Sequence, residues 1–559
     1  MGSGVDRRDF LRLAGGTLAG AGGVVALGGV AAAEDDLPAD LRGGTRLWRE
    51  YLAAPDTHPL IPNVSYAGYH RGEDRLPHPR VRATVNQFGA IGDGSTDSTA
   101  AFNAAIDAVG RAGGGTVLVP PGRYRLTGVV WMHHSGVVLR GTGRGRSTLF
   151  FDESLRSSYR VPSRGEWSWS GGMVWFIPRA LRAGLEAREF TGNEGWLDNQ
   201  DLSEVTAAVP RGTRRIPVAD PSAFRAGQQV LLLVDNPPDN TLLVHLAGEV
   251  PGASSYPWET AGRRLRPEIS DWPLVENFRS YHFPVQIKRV ERNAVVLAQP
   301  VRIDLRLAWA PRFVTIGSVV EESGIEDLSI EMRLTEQGPH NQDPGFNGPN
   351  FQAALNCWAQ RVDLWNTDNG FGLTSSKGIT ISDVRVGGRA RHHSFICRVQ
   401  SNDMLVEKFE ILPATIPLGP TALYHGINTE GLSAGNVWSN GVMEGTFDSH
   451  KALPFDSVRT AIRADNISST GGAGDAGPRW GARFCHWNID VTNGRSHAIR
   501  LEEHAPYSAM VGVRGTTAPT DHAKDFTGPM FSIVDSLDQN VLPTNLYEAQ
   551  LRARLHRHF

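Results

Sequence analysis

The chain holds three cysteines in 559 residues. That excludes a disulfide scaffold: at most one bridge could form, and a buried thiol is the expected state of each. Charge of one sign is not in excess either. Lys and Arg number 56 against 59 Asp and Glu, leaving a net charge of −3. No basic face is implied, so nucleic acid is not an expected partner. Beyond the first 33 residues no run is apolar enough to cross a bilayer. Turn formers are plentiful, with 62 Gly and 34 Pro. The composition is that of a globular chain, and the length allows several ordinary domains or one long repetitive one.

Residues 1–33 have the pattern of an export address. Arg7-Arg8-Asp9-Phe10-Leu11-Arg12 precedes an uncharged stretch from Leu13 to Ala33, and Ala31-Ala32-Ala33 offers small residues for cleavage. The pattern resembles twin-arginine signals of bacteria. It implies a secreted or extracytoplasmic protein that is off the membrane once the signal is removed.

From Phe88 the sequence runs FGAIGDGSTDSTAAFNAAID to residue 107. Thr96 and Asp97 can cap a helix over about 97–110, and Phe102, Ala105, Ile106 and Val109 share one face of it. Gly113-Gly114-Gly115 stops the helix, and short strands follow at Thr116–Val119, Arg123–Leu126 and Val137–Leu139. These motifs, with GGGTVLVPPGRYRL and VVLRGTGRGRSTLFF, make residues 85–150 resemble the pectate-lyase-like family. The resemblance implies an all-β chain, a right-handed parallel β-helix sealed by the 97–110 helix. It further implies a polysaccharide-cleaving enzyme. Gly141-Thr142-Gly143-Arg144-Gly145 has no amphipathic helix behind it, so a turn between coils is expected there rather than a phosphate cradle.

The same strand pattern returns at Gly324–Ile330, Arg361–Trp365, Gly378–Val386, Asp403–Ile411 and Gly435–Trp438. This predicts main coils over 316–515. An N-terminal arm is expected at 34–80, the start of the β-helix at 81–155, an inserted β subdomain or elaborated coils at 156–315, and a tail at 516–559.

Ionisable side chains concentrate in 365–500. The candidates for a catalytic groove are His393, His425, Asp448 and His450, with Arg391, Lys451, Asp368 and Trp438 binding substrate. If 447–452 is extended, Asp448 and His450 share a face and Lys451 points away. On stacked coils, residues distant in sequence meet about 4.8 Å apart. Elimination on a uronate needs a base for the C5 proton and a cation for the developing enolate. His450 is the expected base, held by Asp448, with Arg391 neutralising the uronate. Hydrolysis would instead pair Asp448 with Asp368 or Glu444. Asn366-Thr367-Asp368 resembles a polygalacturonase motif, yet no Asp-Asp, Gly-His-Gly or Arg-Ile-Lys follows it.

No tight metal motif is present. Asp93–Asp97 lacks the ligand spacing of a calcium loop and suits helix capping. Calcium bridging a uronate is compatible with the sequence, and His392-His393 and His486 are candidate transition-metal ligands. Trp358, Trp365, Trp438, Trp480 and Trp487 are available for sugar stacking or for the core. The expected function is therefore an exported polysaccharide lyase. A glycoside hydrolase and a non-catalytic glycan-binding or envelope β-helix are the alternatives.

Overall fold

A computed structural model describes residues 41, 43–159, 166–187, 195–258, 279–417, 425–467, 477–499, 505–517 and 525–557. The segment 1–33 lies outside them. Most strands are short and pair in parallel, and the chain winds into a parallel β-helix. Successive strands alternate between two sheets. Trp358–Trp365 lies in a long sheet, Asn369–Thr374 in a short one, Thr380–Gly387 in the long, His393–Arg398 in the short and Leu405–Ile411 in the long. The long sheet continues through Val437–Gly445, Val458–Asn466, Cys485–Val491, Ala509–Val511 and Ile533–Asp535.

Stacking dictates which residues the coils can use. Side chains facing inward form columns, because each meets its register partner on the next coil. One column runs Leu139, Ile325, Ala359, Ile381, Val406 and Trp438. In the short sheet Phe371, Phe395, Ile427 and Phe447 form another. All are buried in the same core. The first column then turns polar at Arg459 and His486 before reaching Met510 and Val534. The Arg459 guanidinium lies 5.3–5.9 Å from the ring centres of Trp480, Trp438 and Phe447. Desolvation lowers its pKa to about 9.

The capping helix spans Thr99–Arg111 and buries Phe102, Ala105, Ile106 and Val109 against the first coils. The Asp97 carboxylate accepts from the Thr99 amide at 3.1 Å. Asp93 is spent on the Ser95 and Thr96 amides, both at 2.8 Å. The three cysteines are buried thiols.

Between the early and main coils lies a six-stranded antiparallel sheet built from segments of Asp201–Thr315. Val174–Phe176, in the region expected to hold an inserted subdomain or elaborated coils, belongs to the short sheet of the solenoid. Its run of three buried residues suits a coil strand covered on both faces. The inserted sheet joins the coils through buried charge. Asp403 is fully buried and accepts from Arg302, Lys377 and Gln299, the last at 2.9 Å.

The arm 43–73 and the C-terminal helix Leu546–Arg557 close over the flank of the long sheet. Gly68 has φ of +90°, and a Cβ there would stand 3.0 Å from Thr380 Oγ1. Only glycine lets the arm pass this close to the sheet.

Candidate functional site

The outer face of the short sheet gathers the polar groups. Because Phe395, Ile427 and Phe447 point inward, alternation sends Ile396, Arg398, Asn428, Glu430 and Asp448 to the opposite face. Arg398 ion-pairs with Glu430 at 2.9 Å and donates to the Trp169 carbonyl at 2.7 Å. Neither Arg398 nor Glu430 was expected from sequence, where nothing distinguishes them from surface charges.

At the leading edge of this sheet the coils stack imidazoles. Asn347 and Asn369 begin the pile, with Asn369 Nδ2 donating to Asn347 Oδ1 at 3.0 Å. His393 pairs with Asn369 in register, and the His425 ring stacks on His393 with centroids 4.8 Å apart and planes 20° apart. His392 stacks on His393 at 4.5 Å and lies 4.9 Å from His425. His450 meets His425 edge to face at 4.5 Å. His340, on the loop after Gly324–Met332, lies 5.2 Å from His392 and 5.9 Å from His425.

Two carboxylates back this cluster. Nδ1 of His392 donates to Asp343 Oδ2 at 3.0 Å. Nδ1 of His425 lies 2.9 Å from Asp448 Oδ2, close enough for an ion pair though the ring N–H is not aimed along the oxygen. Nε2 of His392, Nε2 of His425, Nδ1 of His393 and Nδ1 of His450 have no hydrogen-bond partner among the described residues. Burial favours the neutral form at four positions: desolvation lowers His392, takes His393 and His450 well below 6.5, and takes His340 to about 4. The charge of Lys451 acts on both His340 and His450 in the same direction.

The structure thus brings His393, His425, Asp448 and His450 together, and corrects the details. Asp448 contacts His425 rather than holding His450. Only Phe447 of the 447–452 stretch pairs with a strand. The chain leaves the strand after it, so alternation does not carry through to Lys451, whose charge acts on His340 and His450. Arg391 is not at a groove edge. It is 1% exposed and donates to Ser394 Oγ and the Arg389 carbonyl. Asp368 is fully buried, accepting from Arg389 and from the Gly345 and Phe346 amides at 3.0 and 2.7 Å. It locks a coil corner and offers no second carboxyl for hydrolysis. Glu444 lies on the long sheet and accepts from the Ala414 amide. Trp438 is in the interior column, and Trp358, Trp480 and Trp487 are equally buried, so these four indoles pack rather than stack on sugar. His486 is likewise inside the solenoid.

Three groups of side chains among the described residues could hold a metal ion, each with ligand atoms within 4.8 Å of one another. They are His340, His392 and His425; His425, Asp448 and His450; and Asp107, His133 and His134. The last is already filled by a cation, since Arg179 lies 2.7 Å from Asp107 and 2.9 Å from His134 Nε2. His340 and Asp343 were missed by sequence reasoning. Their signal is a Gly- and Pro-rich loop, 338–345, with His and Asp three apart.

Two family models match parts of the chain. One, described as rhamnogalacturonase A/epimerase, pectate lyase-like, covers residues 83–164. The other, a domain of unknown function, covers 422–558. Mannuronan C5-epimerase AlgE3 of Azotobacter vinelandii is 61% identical over 141 residues, which is 23% of this chain and 7% of that protein. Alginate lyase 7 of the same organism is 45% identical over 71 residues, 12% of this chain and 8% of that one. The chain thus spans under a tenth of the length of these two relatives. Among solved structures, the tailspike gp49 of Pseudomonas phage LKA1 matches with a TM-score of 0.45 and 12% identity over 78% of this chain and 71% of that one. The A-module of mannuronan C-5 epimerase AlgE4 matches with a TM-score of 0.30 and 14% identity over 82% and 95%.

Proposed function

We propose that this protein removes the C5 proton from a uronate unit of a polysaccharide, opening elimination or epimerisation at that carbon. The observation that carries the reading is His450: a half-buried imidazole, held neutral by its surroundings, with an unpartnered Nδ1 beside His425, Asp448 and Lys451. An unprotonated imidazole is ready to accept a proton at neutral pH. Lys451 supplies positive charge for the uronate carboxylate and the enolate that develops on it. His425 lies beside His450, with the two ring centres 4.5 Å apart. Partial matches to a mannuronan C5-epimerase and an alginate lyase support this reading, since both names refer to uronate polymers. The buried, Arg389-bound state of Asp368 weighs against the two-carboxyl hydrolysis.

The test is a panel of uronate polysaccharides incubated with the purified protein in deuterated water. Ultraviolet absorbance of an unsaturated uronate marks a lyase, and deuterium at C5 without chain cleavage marks an epimerase. New reducing ends with neither signal would overturn the proposal.

We also propose that the twin-arginine segment delivers the protein out of the cytoplasm. Replacing Arg7 and Arg8 by Lys is expected to leave precursor inside the cell; undiminished export would refute this.

A further inference from the structure

The nitrogens left over in the histidine cluster are arranged as ligands. His392 and His425 each have a carboxylate at Nδ1, Asp343 and Asp448 respectively. An ionised carboxylate only accepts, so the proton of His392 sits on Nδ1 and its lone pair on Nε2, and the Asp448 carboxylate 2.9 Å from Nδ1 of His425 favours the same tautomer there. Both Nε2 atoms are buried, and neither has a hydrogen-bond partner among the described residues. The two rings are 2% and 7% exposed. A buried acceptor without a donor costs roughly 1–3 kcal/mol. Two of them, on rings whose centres are 4.9 Å apart in a fold that satisfies Asp403 and Asp368 completely, point to a missing electrophile. His340 supplies a third imidazole from the loop, with the three ligand atoms within 4.8 Å of one another.

We propose that His340, His392 and His425 form a three-histidine site for a divalent transition metal of the zinc class. A carboxylate on the far nitrogen of a ligating histidine fixes its tautomer and raises its basicity, a feature of such centres. Nitrogen donors suit zinc, cobalt or nickel, whereas calcium and magnesium call for oxygen. Zn–N bonds of about 2.0–2.1 Å require the three nitrogens to close around the ion. His340 can make that adjustment, because it is half-buried on a loop rather than fixed in a strand. The Asp107 cluster lacks this arrangement: both histidines already direct Nε2 to the carboxylate, at 2.8 and 3.0 Å, and Arg179 supplies the charge.

Three protein ligands leave the fourth tetrahedral position open to water or substrate. This last step alone rests on the proposed uronate chemistry: there the fourth ligand would be a carboxylate oxygen, placed by the metal beside His450.

The site can be tested without any activity. The purified protein is stripped with EDTA, loaded with zinc chloride, passed through a desalting column and analysed for metal by mass spectrometry. One zinc per chain is expected. His340→Ala and His392→Ala should each reduce this to background at unchanged circular dichroism, and the His340 variant, altered on a loop, keeps the fold. Asp343→Asn should weaken zinc binding about 10–100-fold in a competition titration, the scale for losing a carboxylate that orients a ligand. Cobalt in place of zinc should give the strong visible absorption of a four-coordinate ion. No retained zinc in the wild type, or equal zinc in the wild type and both alanine variants, would overturn the site. Neither result depends on whether a substrate is found, so the metal site and the uronate reading fail separately.

Discussion

Two buried polar centres lie on adjacent parts of this solenoid and are built in opposite ways. At the junction with the inserted sheet, both oxygens of Asp403 are taken by Arg302, Lys377 and Gln299, and Lys377 also donates to Gln299 at 2.9 Å. At the leading edge of the short sheet, four imidazoles and Asp448 share few bonds and keep unpartnered atoms. The first centre binds two parts of the protein together. The second carries a desolvation cost that its own contacts do not offset. Buried polar atoms that a fold leaves open are where a substrate or an ion is expected to complete the set.

The contrast predicts opposite mutational signatures. The largest effect should come from Asp403→Ala, which strands Arg302 and Lys377 as buried cations. A stability loss of about 3–5 kcal/mol is expected in chemical denaturation. A loss below about 1 kcal/mol would mean that the junction is not held by charge. Next comes the histidine centre, where His450→Ala and Asp448→Asn should each lower turnover on the order of 10²-fold with the unfolding midpoint nearly unchanged. Asp448→Asn should even tend to raise stability, because it removes a poorly partnered buried charge. Unfolding of either variant at ordinary temperature would erase the distinction.

The smallest effect concerns His486, inside the solenoid with both ring nitrogens unpartnered and its pKa held well below 6.5 by burial. Its folded pKa lies below its unfolded one, so the unfolded chain binds more protons as the solution is acidified. Its contribution is complete above pH 6.5 and is lost as pH falls from 6.5 toward the folded pKa. His486→Phe should flatten the acid limb of the stability curve by up to about 1.4 kcal/mol per pH unit. An unchanged slope in denaturation midpoints between neutral and acid pH would show that His486 does not titrate on unfolding.

Much of the scaffold was legible because its signals are periodic. Phe102, Ala105, Ile106 and Val109 announce the capping helix by their spacing. The strand expected from Asp403 to Ile411 is found at Leu405–Ile411, and that expected at Gly378–Val386 is found at Thr380–Gly387. The strands of the short sheet were harder. His393–Arg398 and Ile427–Thr429 are buried on both faces, so they show no alternation. The histidines could be gathered because stacked coils bring distant residues together. What each one touches could not, because that depends on where the chain leaves a strand. Alternation has no hold on Lys451, because the chain leaves the strand after Phe447. Arg391 and Arg398 look alike in sequence, yet Arg391 folds back on its own loop and Arg398 crosses to Trp169. His340 and Asp343 sit in a loop, where no period exists to mark them.

The clasp between the two ends of the described chain has a bearing on the order of events during synthesis. Gln550 bonds the Val64 amide and the Pro62 carbonyl, Tyr547 bonds the Ala67 carbonyl, and Arg554 reaches the carbonyls of Ser65 and Arg71. Its guanidinium also lies 4.3 Å from the centre of the Tyr66 ring. These partners are separated by about 480 residues. An arm that leaves the ribosome early therefore waits for nearly the whole remaining chain before its backbone groups find their mates. Contacts this distant in sequence close late. The coils can stack from the capping helix onward as they emerge, but the flank of the long sheet stays open until translation has passed Arg554. Whatever handles the nascent protein before the helix Leu546–Arg557 is made meets a solenoid with one side still unlatched.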